Sequence, residues 1–486
     1  MIYTRFLLLL ISTLFLACSS QSVDYSTAIV NGKIVGYQGQ DLFVSNPING
    51  SGYEGYKDKV DVKQDGTFSA SINLSKASLV TFTMPRLFKH LVILEPKKNY
   101  DVKIDGRSVN SVFTFNDESN AIQDLYAGFD NPDYISKNMP SINSSMTIKD
   151  YNGMFDRPFE NEIYQLETLA QSGQVSDDVV TLIKADREVF RAARKGDLAW
   201  RLTRNKSVLD EKTKSFWKHI LEETPITNEY MSSSWFLSYA MSYVRGKKVG
   251  ETTFNPSAQH QLERGTERLS LFMNGFETYL NGSTQEMAMA NYLHKESGNQ
   301  RNEKECIALY NNLKAKNKNN QFDKYLKPNI DAIEEYYRVI DSDFAEGINF
   351  IENPQAINSI SELNQYFKGK KLYLDVWASW CGPCRREFSY NKDLKPMLKK
   401  NDVVPIYIST DKPKDLEKWK RFIKQYDLKG YHINASNNLK VDIQRYYGGG
   451  LRIPYYLLVN ESGEVAVNHA ARPSQLDKLT GQVKGL

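Results

Sequence analysis

Two cysteines separated by two residues set the strongest constraint on how this chain of 486 residues folds. Cys381 and Cys384 come shortly after an apolar run at residues 372–377, which predicts a buried β-strand. Pro383 lies between them, and proline suits the first turn of a helix, where its missing N–H costs nothing. We therefore expect a strand that leads into a helix, with Cys381 at the helix N-terminus. That geometry places both thiols at one end of the first turn, where they can close a disulfide.

A position at a helix N-terminus also favours thiol chemistry. Unpaired N–H groups and the helix dipole stabilise a thiolate on Cys381. A stabilised thiolate is a weaker nucleophile, which offsets part of the gain in attack, but it is a good leaving group when Cys384 attacks a mixed disulfide. We therefore assign Cys381 as the attacking nucleophile and Cys384 as the resolving thiol.

The other cysteines argue against a metal site. Cys18 lies near the N-terminus and Cys306 lies in a segment of helical pattern, and no histidine pair at ligand spacing accompanies them. Arg385 follows Cys384 where attachment of a c-type haem requires histidine. We expect no metal and no cofactor. We also expect Cys306 to be a buried, inert thiol, with a resolving or mixed-disulfide role as the alternative.

The N-terminal residues predict an export signal. Residues 1–17 combine one positive charge, Arg5, with an apolar run that is shorter than the ~20 residues needed to span a bilayer. Residues 14–18, LFLAC, resemble a bacterial lipobox, in which cleavage exposes Cys18 for attachment of several anchoring acyl chains. We expect a periplasmic protein anchored to a bacterial membrane through lipid on Cys18, with residues 18–27 as a tether. An ordinary cleaved signal peptide that ends near a cysteine is the alternative.

Two regions of different character follow the predicted tether. Residues 28–116 contain short apolar runs separated by glycines, a pattern that predicts an antiparallel β sandwich or barrel. Residues 117–345 have helical periodicity and predict an all-helical region. Apolar side chains on one face of residues 261–280 predict a single helix there. Helix breaks are expected at three prolines, namely Pro225, Pro256 and Pro328.

The charge balance excludes one class of partner. The chain has 62 lysines and arginines against 58 aspartates and glutamates, a formal net charge of +4. Proteins that bind nucleic acid carry a strong local or overall excess of positive charge, and +4 is small for this length. We therefore expect no nucleic-acid partner.

The C-terminal region, residues 346–486, alternates between strand and helix patterns. This alternation predicts an α/β domain with a mostly parallel sheet. Turn residues at 460–463 indicate a final antiparallel hairpin. The fold class is therefore a multi-domain chain with a β sandwich or barrel, a helical region and a C-terminal α/β domain.

Residues 375–384, DVWASWCGPC, resemble the active-site strand and turn of thioredoxin. Residues 361–486 as a whole resemble the TlpA/ResA-like branch of extracytoplasmic thioredoxins, which implies a thioredoxin-like fold. The resemblance makes Asp375 the family's buried acid. The residues agree, because an aspartate inside an apolar strand is desolvated, its pKa is raised, and it can move a proton for Cys384. A buried polar side chain bonded to backbone is the alternative role for Asp375.

A second part of the resemblance concerns substrate contact. Ile453-Pro454 matches the cis-proline of the family, which lies against the disulfide. The resemblance implies that Trp380, Ile453 and Pro454 bind substrate, with the main chain of Ile453 pairing with an extended segment as an added strand. Arg452 and Tyr455 flank this bond where many relatives have small residues, which predicts a more selective, partly charged mouth.

The resemblance implies an extracytoplasmic thiol–disulfide oxidoreductase. The Gly-Pro pair between the cysteines resembles that of reducing thioredoxins, so we expect reduction of disulfides in exported proteins with electrons from a membrane donor. Residues 28–116 resemble an uncharacterised domain that often precedes thioredoxin in Gram-negative lipoproteins, which implies no activity. Two alternatives stay open. One is a thiol peroxidase of the peroxiredoxin type, and the other is a binding or assembly lipoprotein in which residues 25–345 hold a partner and the thiols are secondary.

Overall fold

The described part of the chain divides into two compact units, with the boundary between Asp331 and Ala332. The computed structural model describes residues 26–107, 113–116, 120–143, 145–204, 206–299, 301–316 and 321–486. The predicted signal peptide at residues 1–17 and the predicted lipid site at Cys18 lie outside the described residues. Within the described ranges, no helix combines a bilayer-spanning length with sufficient apolar character.

The strands of the first unit form a β sandwich, as predicted. They are β1 (Ser26–Val35), β2 (Leu42–Ser45), β3 (Lys57–Val60), β4 (Thr67–Leu74), β5 (Ser78–Met84), β6 (Phe88–Leu94), β7 (Asn99–Asp105) and β8 (Phe113–Phe115). In the part of the unit that the structure describes, one sheet has the order β4-β1-β7-β8 and another has the order β3-β2-β5-β6. Alternate residues of β4, such as Phe68, Ala70 and Ile72, point into a core that both sheets share.

The expectation of a purely antiparallel sandwich is wrong for one strand pair. β1 and β7 run parallel, with Ile29 opposite Asn99. Parallel neighbours require a long crossover connection. Here the chain forms β2 to β6, including the whole described second sheet, before it returns to pair with β1.

The middle of the chain is helical, as predicted. Its helices are α1 (Asn120–Ala127), α2 (Ile148–Ala170), α3 (Asp177–Leu202), α4 (Glu211–Glu223), α5 (Phe236–Val249), α6 (Pro256–Arg264), α7 (Arg268–Tyr279), α8 (Gly282–Ser297), α9 (Glu305–Lys316) and α10 (Asp323–Asp341). Leu79 of β5 and Ile93 of β6 pack in one cluster with Ile122 of α1 and Leu182 of α3. The first helices of this region therefore share a core with the sandwich.

Two details of the helical region differ from the sequence prediction. Residues 261–280 form parts of two helices, because α6 ends at Arg264. The next residue, Gly265, has an extended backbone, and its N–H donates to the carbonyl of Gln261. The apolar period continues in phase across this break, which is why the pattern indicates one helix. Pro328 lies inside α10 instead of breaking a helix, at the loss of one helical hydrogen bond.

The second unit is an α/β domain, as predicted. Its elements are β9 (Ile348–Phe350), α11 (Ile360–Gln365), β10 (Lys371–Trp377), α12 (Gly382–Glu387), α13 (Asn391–Lys400), β11 (Val403–Ser409), α14 (Leu416–Gln425), β12 (Gly430–Asn434), α15 (Asn437–Tyr447), β13 (Tyr455–Val459), β14 (Val465–Val467) and α16 (Leu476–Lys484). The sheet order is β14-β13-β10-β11-β12-β9. β9 to β12 run parallel, whereas β13 is antiparallel to both of its neighbours and forms the closing hairpin with β14.

The position of β10 in this sheet decides where the cysteines lie. β10 is a central strand between β11 and β13, and every residue from Leu372 to Trp377 is buried. Because β10 and β11 are parallel, their C-terminal ends lie side by side at one edge of the sheet. Cys381 follows β10 at this edge.

Candidate active site

Cys381 and Cys384 form a disulfide at the start of α12, with their Cα atoms 5.3 Å apart. Cys381 is the N-cap residue of α12, and its Sγ accepts a hydrogen bond from the backbone N–H of Cys384 at 3.1 Å. Pro383 occupies the first turn of the helix. When the disulfide is reduced, this N–H and the other free N–H groups of the first turn can stabilise negative charge on the Cys381 sulfur.

The two sulfurs differ in how far a substrate can reach them. Cys384 is fully buried, whereas Cys381 keeps 4% of its surface exposed beside Trp380, which is 60% exposed. An attacking thiolate must be accessible and a resolving thiol need not be. The assignment of Cys381 as nucleophile and Cys384 as resolving thiol requires this order of exposure and stays a prediction.

The turn before Cys381 is held by a residue that the sequence analysis missed. Asp411, just beyond β11, accepts the backbone N–H of Ser379 at 2.9 Å and its hydroxyl at 2.7 Å. Thr410 donates its N–H to the carbonyl of Trp377 at 2.9 Å, and Ser409 donates its hydroxyl to Asp411. These bonds fix the chain between β10 and α12. A signal was present in the sequence, since Ser-Thr-Asp follows the predicted strand next to β10.

Asp375 lies in the middle of β10, where its cross-strand neighbours are Tyr407 on β11 and Tyr456 on β13. Its side chain is 1% exposed, and its Oδ1 has no hydrogen-bond partner among the described residues. Burial raises the pKa of Asp375 well above its ordinary value, and the nearby charge of Glu387 raises it further. Asp375 therefore keeps its proton at pH values where an exposed aspartate is ionised. The alternative role, a side chain bonded to backbone, has no support at this oxygen.

Glu387 is a second buried carboxylate that the sequence analysis missed. It lies three residues after Cys384 on α12, a spacing that places the two side chains on neighbouring turns of one face. Its carboxylate accepts the backbone N–H of Ser474 at 2.9 Å and the hydroxyl of Ser474 at 3.2 Å, and Arg472 lies 3.8 Å away. Glu387 thus connects the neighbourhood of Asp375 with a serine and an arginine near the start of α16.

The predicted substrate-binding residues lie around the disulfide. The Ile453–Pro454 peptide bond is cis and leads directly into β13 beside β10. Ile453 packs against the cluster that contains both cysteines, and Trp380 is exposed next to Cys381. Arg452 is exposed, but Tyr455 is not part of the mouth, contrary to the sequence prediction. Tyr455 is the first residue of a fully buried strand, and its ring lies 5.0 Å from that of Tyr447 inside the core.

Cys306 is the third cysteine that the structure describes, and it lies in the first unit. It is fully buried on α9 and is free of any disulfide with a described residue. Burial raises the pKa of the Cys306 thiol to about 12, and the charges of Glu303 and Glu296 add to the shift. Such a thiol is protonated and unreactive at neutral pH. In the described ranges, no group of three or more histidine, cysteine or acidic side chains is arranged to hold a metal ion.

Comparison with known proteins gives matches to the second unit. The Redoxin family model matches residues 352–479. The thiol-disulfide oxidoreductase ResA of Bacillus thuringiensis subsp. konkukian is 34% identical over 99 residues, which cover 20% of this chain and 54% of that protein. The ResA protein of Halalkalibacterium halodurans is 30% identical over 125 residues, covering 26% of this chain and 66% of that protein. The chain thus spans about half of the length of the first of these relatives.

Solved structures are similar to about a quarter of this chain. The solution structure of a putative thiol-disulfide oxidoreductase from Bacteroides vulgatus is 30% identical, covering 23% of this chain and 71% of that one, with a TM-score of 0.21. The crystal structure of a secreted disulfide oxidoreductase from Mycobacterium tuberculosis is 24% identical, covering 25% of this chain and 86% of that one, also with a TM-score of 0.21.

Proposed function

We propose that this chain, whose residues 352–479 form a Redoxin domain of thioredoxin-like fold, is an extracytoplasmic thiol–disulfide oxidoreductase that reduces protein disulfides. The observation that carries the proposal is the disulfide between Cys381 and Cys384 at a helix N-terminus, where Cys381 keeps a small exposed surface and Cys384 keeps none. The names of the similar curated proteins, thiol-disulfide oxidoreductases, support the same class of reaction.

The reaction begins with the reduced domain. The thiolate of Cys381 attacks one sulfur of the substrate disulfide, the substrate S–S bond breaks, and the other substrate sulfur leaves with the electron pair and takes up a proton. The N–H of Cys384, 3.1 Å from the Cys381 sulfur in the disulfide form, is placed to stabilise the attacking charge. The product of this step is a mixed disulfide between Cys381 and the substrate.

The second step releases the substrate. The Cys384 sulfur loses its proton and attacks the Cys381 sulfur, and the second substrate sulfur leaves as a thiolate that is then protonated. The substrate has gained two electrons and two protons, and the domain holds the Cys381–Cys384 disulfide. We assign Asp375 as the base that takes the proton of Cys384, because its raised pKa makes its carboxylate a stronger base than an exposed aspartate.

A donor must return two electrons to the domain after each cycle. We assign this role to a membrane electron donor, and we place the chain in the periplasm, anchored through lipid on Cys18. The apolar run and LFLAC segment of residues 1–18 support this location. The substrates are then disulfide-containing proteins that have been exported.

The proposal is tested with the full chain and three variants. Wild type should reduce the disulfides of insulin in the presence of dithiothreitol, and the Cys384→Ser variant should accumulate mixed disulfides at Cys381 when exposed to exported proteins. The Cys381→Ser variant should do neither. The Cys306→Ser variant is the matched control and should behave as wild type, because Cys306 is buried within the first unit and forms no disulfide with a described residue.

Four results would contradict the proposal. Insulin reduction that survives Cys381→Ser would remove the assigned nucleophile. Peroxide turnover that survives Cys384→Ser would favour a thiol peroxidase. Full biological function in a Cys381→Ser, Cys384→Ser double variant would favour a binding or assembly lipoprotein. A reduction potential near about −120 mV would make the domain an oxidant instead of a reductant.

A further inference from the structure

Four cationic side chains lie on, or directly before, elements that pack against the cluster containing the two cysteines. They are Arg385 and Arg386 on α12, Lys418 on α14 and Arg452 before the cis peptide bond. None of the four forms an ion pair with a carboxylate among the described residues. In contrast, many lysines and arginines of the first unit are paired, as Arg245 is with Glu263.

Arg386 and Arg385 place positive charge on two sides of α12. A Cβ atom added to Gly382 would lie 3.9 Å from Nη1 of Arg386, so this exposed guanidinium reaches back over the turn between the cysteines. The guanidinium of Arg385 lies over the ring of Phe422 at 5.1 Å, and Nζ of Lys418 lies 5.9 Å from the same ring. Phe422 itself packs against the cluster that contains both cysteines. These cations are therefore part of the surface around the disulfide.

Arg452 adds positive charge next to the cis peptide bond that leads into β13. It is exposed and precedes Ile453, which packs against the cluster of the cysteines. The loop before it is open, because a Cβ atom added to Gly448, Gly449 or Gly450 would meet no atom within 4 Å. A chain segment lying along Ile453 would pass beside Arg452.

The acidic residues near the turn do not neutralise these cations. The carboxylate of Asp411 is buried and bonded to Ser379, and that of Glu387 is buried and bonded to Ser474. Asp375 is buried within the sheet. Glu417, the acidic neighbour of Lys418, pairs with Lys420 at 3.3 Å. The charge that remains at the mouth of the site is therefore positive.

We infer that the substrate is acidic, namely an extended segment that carries aspartate or glutamate on both sides of its disulfide-forming cysteine. This inference rests on the proposed function and names the substrate class of that site. The segment lies along the main chain of Ile453, with its cysteine at Cys381 and its carboxylates opposite Arg386 on one side and Arg452 on the other. Trp380 provides an apolar contact that does not depend on charge.

The test compares two oxidised peptides that differ only in the residues flanking one cysteine of an internal disulfide, with glutamate in one and glutamine in the other. The prereduced full chain is mixed with each peptide, and the second-order rate constant of the single turnover is measured. Two exposed ion pairs predict that the glutamate peptide reacts about fivefold faster at low ionic strength. The ratio should fall towards one in 0.5 M salt, because exposed charges are then screened.

Two double variants of equal charge locate the effect. In Arg386→Ala, Arg452→Ala, the ratio of the two rate constants should fall towards one. In Lys368→Ala, Lys400→Ala, the ratio should stay near fivefold, because these exposed lysines precede β10 and β11 at the opposite edge of the sheet. The ratio isolates substrate recognition, since any change in the reactivity of the Cys381 thiolate affects both peptides equally.

The outcomes separate this inference from the proposed function. Equal rates for the two peptides in wild type, or an equal loss of preference in both double variants, would overturn the inference while the proposed reductase activity stands. Failure to reduce either peptide or insulin would overturn the proposed function, and the substrate class with it. A preference for glutamate that is lost only in Arg386→Ala, Arg452→Ala would support the inference.

Discussion

The carboxylate of Asp411 binds Ser379 twice, accepting its backbone N–H at 2.9 Å and its hydroxyl at 2.7 Å. Both residues are buried, and Ser379 precedes Cys381 by two positions. The Asp411 side chain, just beyond β11, thus fixes the path of the chain that leaves the neighbouring strand β10. This contact positions the turn that holds the disulfide.

Removing this contact should weaken both folding and reaction. The Asp411→Asn variant replaces a charged acceptor of buried N–H and O–H groups with an amide, so we expect the C-terminal unit to lose about 1.5–3 kcal/mol of stability. Ser379→Ala removes only the hydroxyl and should cost about 1 kcal/mol. Hydrogen exchange of peptides from residues 372–411, read by mass spectrometry, measures the loss of stability.

Insulin reduction under native conditions tests whether Asp411 positions the disulfide. Asp411→Asn should slow insulin reduction more than the exposed Asp477→Asn control does. Equal rates in the two variants would contradict this role.

The buried Asp375 should make the C-terminal unit less stable at high pH. Its pKa is raised in the folded chain, so the folded state binds the proton more tightly than the unfolded state, where the pKa is near 3.8. Stability therefore falls as the pH rises above that value, by up to about 1.4 kcal/mol per pH unit. Asp375→Asn should abolish this fall, so its stability relative to wild type should be greater at pH 8 than at pH 5.

The measurement for Asp375 is hydrogen exchange of the oxidised chain, corrected for the intrinsic pH dependence of exchange. The exposed Asp393→Asn variant on α13 serves as the control and should follow wild type at both pH values. Asp375→Asn should also slow release of substrate from the mixed disulfide, because the assigned base is missing. If the stabilities of wild type and Asp375→Asn change with pH in the same way, the Asp375 carboxyl does not titrate as described.

Cys306 should resist alkylation in the folded chain. Burial raises the pKa of its thiol to about 12, and its side chain has no exposed surface. After reduction of the chain at pH 8, iodoacetamide should modify Cys381 within minutes and leave Cys306 unmodified. In urea, Cys306 should react as a free cysteine does. Peptide mapping by mass spectrometry distinguishes the sites, and rapid labelling of Cys306 without denaturant would refute a buried position.

Two cations on α3 should differ strongly in their contribution to stability. Arg187 is fully buried and donates to Glu162 at 2.8 Å, whereas Lys184 pairs with Glu167 where both side chains are about half exposed. Arg187→Ala leaves a buried carboxylate without its partner and should cost about 3–5 kcal/mol. Lys184→Ala should cost less than about 1 kcal/mol. Hydrogen exchange of peptides from α2 and α3 measures the loss of stability in both variants. Similar losses in Arg187→Ala and Lys184→Ala would contradict the expected difference between a buried and an exposed ion pair.

The sequence predicted those parts of the site that depend on neighbouring residues. The apolar run of β10 predicted a buried strand, the residues that follow it predicted a helix starting at Cys381, and a charge within the run predicted a buried Asp375. The contact of Asp411 with Ser379 depends on two segments 32 residues apart, and only the parallel pairing of β10 with β11 brings them together. β9 was missed because it has three residues, too few to show a strand period.

The fold predictions failed where two structures share one pattern. An apolar stripe over residues 261–280 indicates one helix, but the extended backbone at Gly265 ends α6 within it, and Leu262 on α6 is exposed. In the sandwich, buried and exposed side chains alternate along each strand in the same way whether the sheet is antiparallel or mixed. The sequences of β1 and β7 therefore contain no local pattern that predicts their parallel pairing.

If the domain exchanges disulfides as proposed, the burial of both Cys381 and Cys384 limits which cystines it can reach. A disulfide buried inside a folded globular partner cannot approach the Cys381 sulfur, because so little of Cys381 is exposed. Only a cystine on a protruding or still unfolded stretch of polypeptide can reach it. The domain would then discriminate by the folding stage of its partner, acting on chains in the course of maturation and sparing those that are complete.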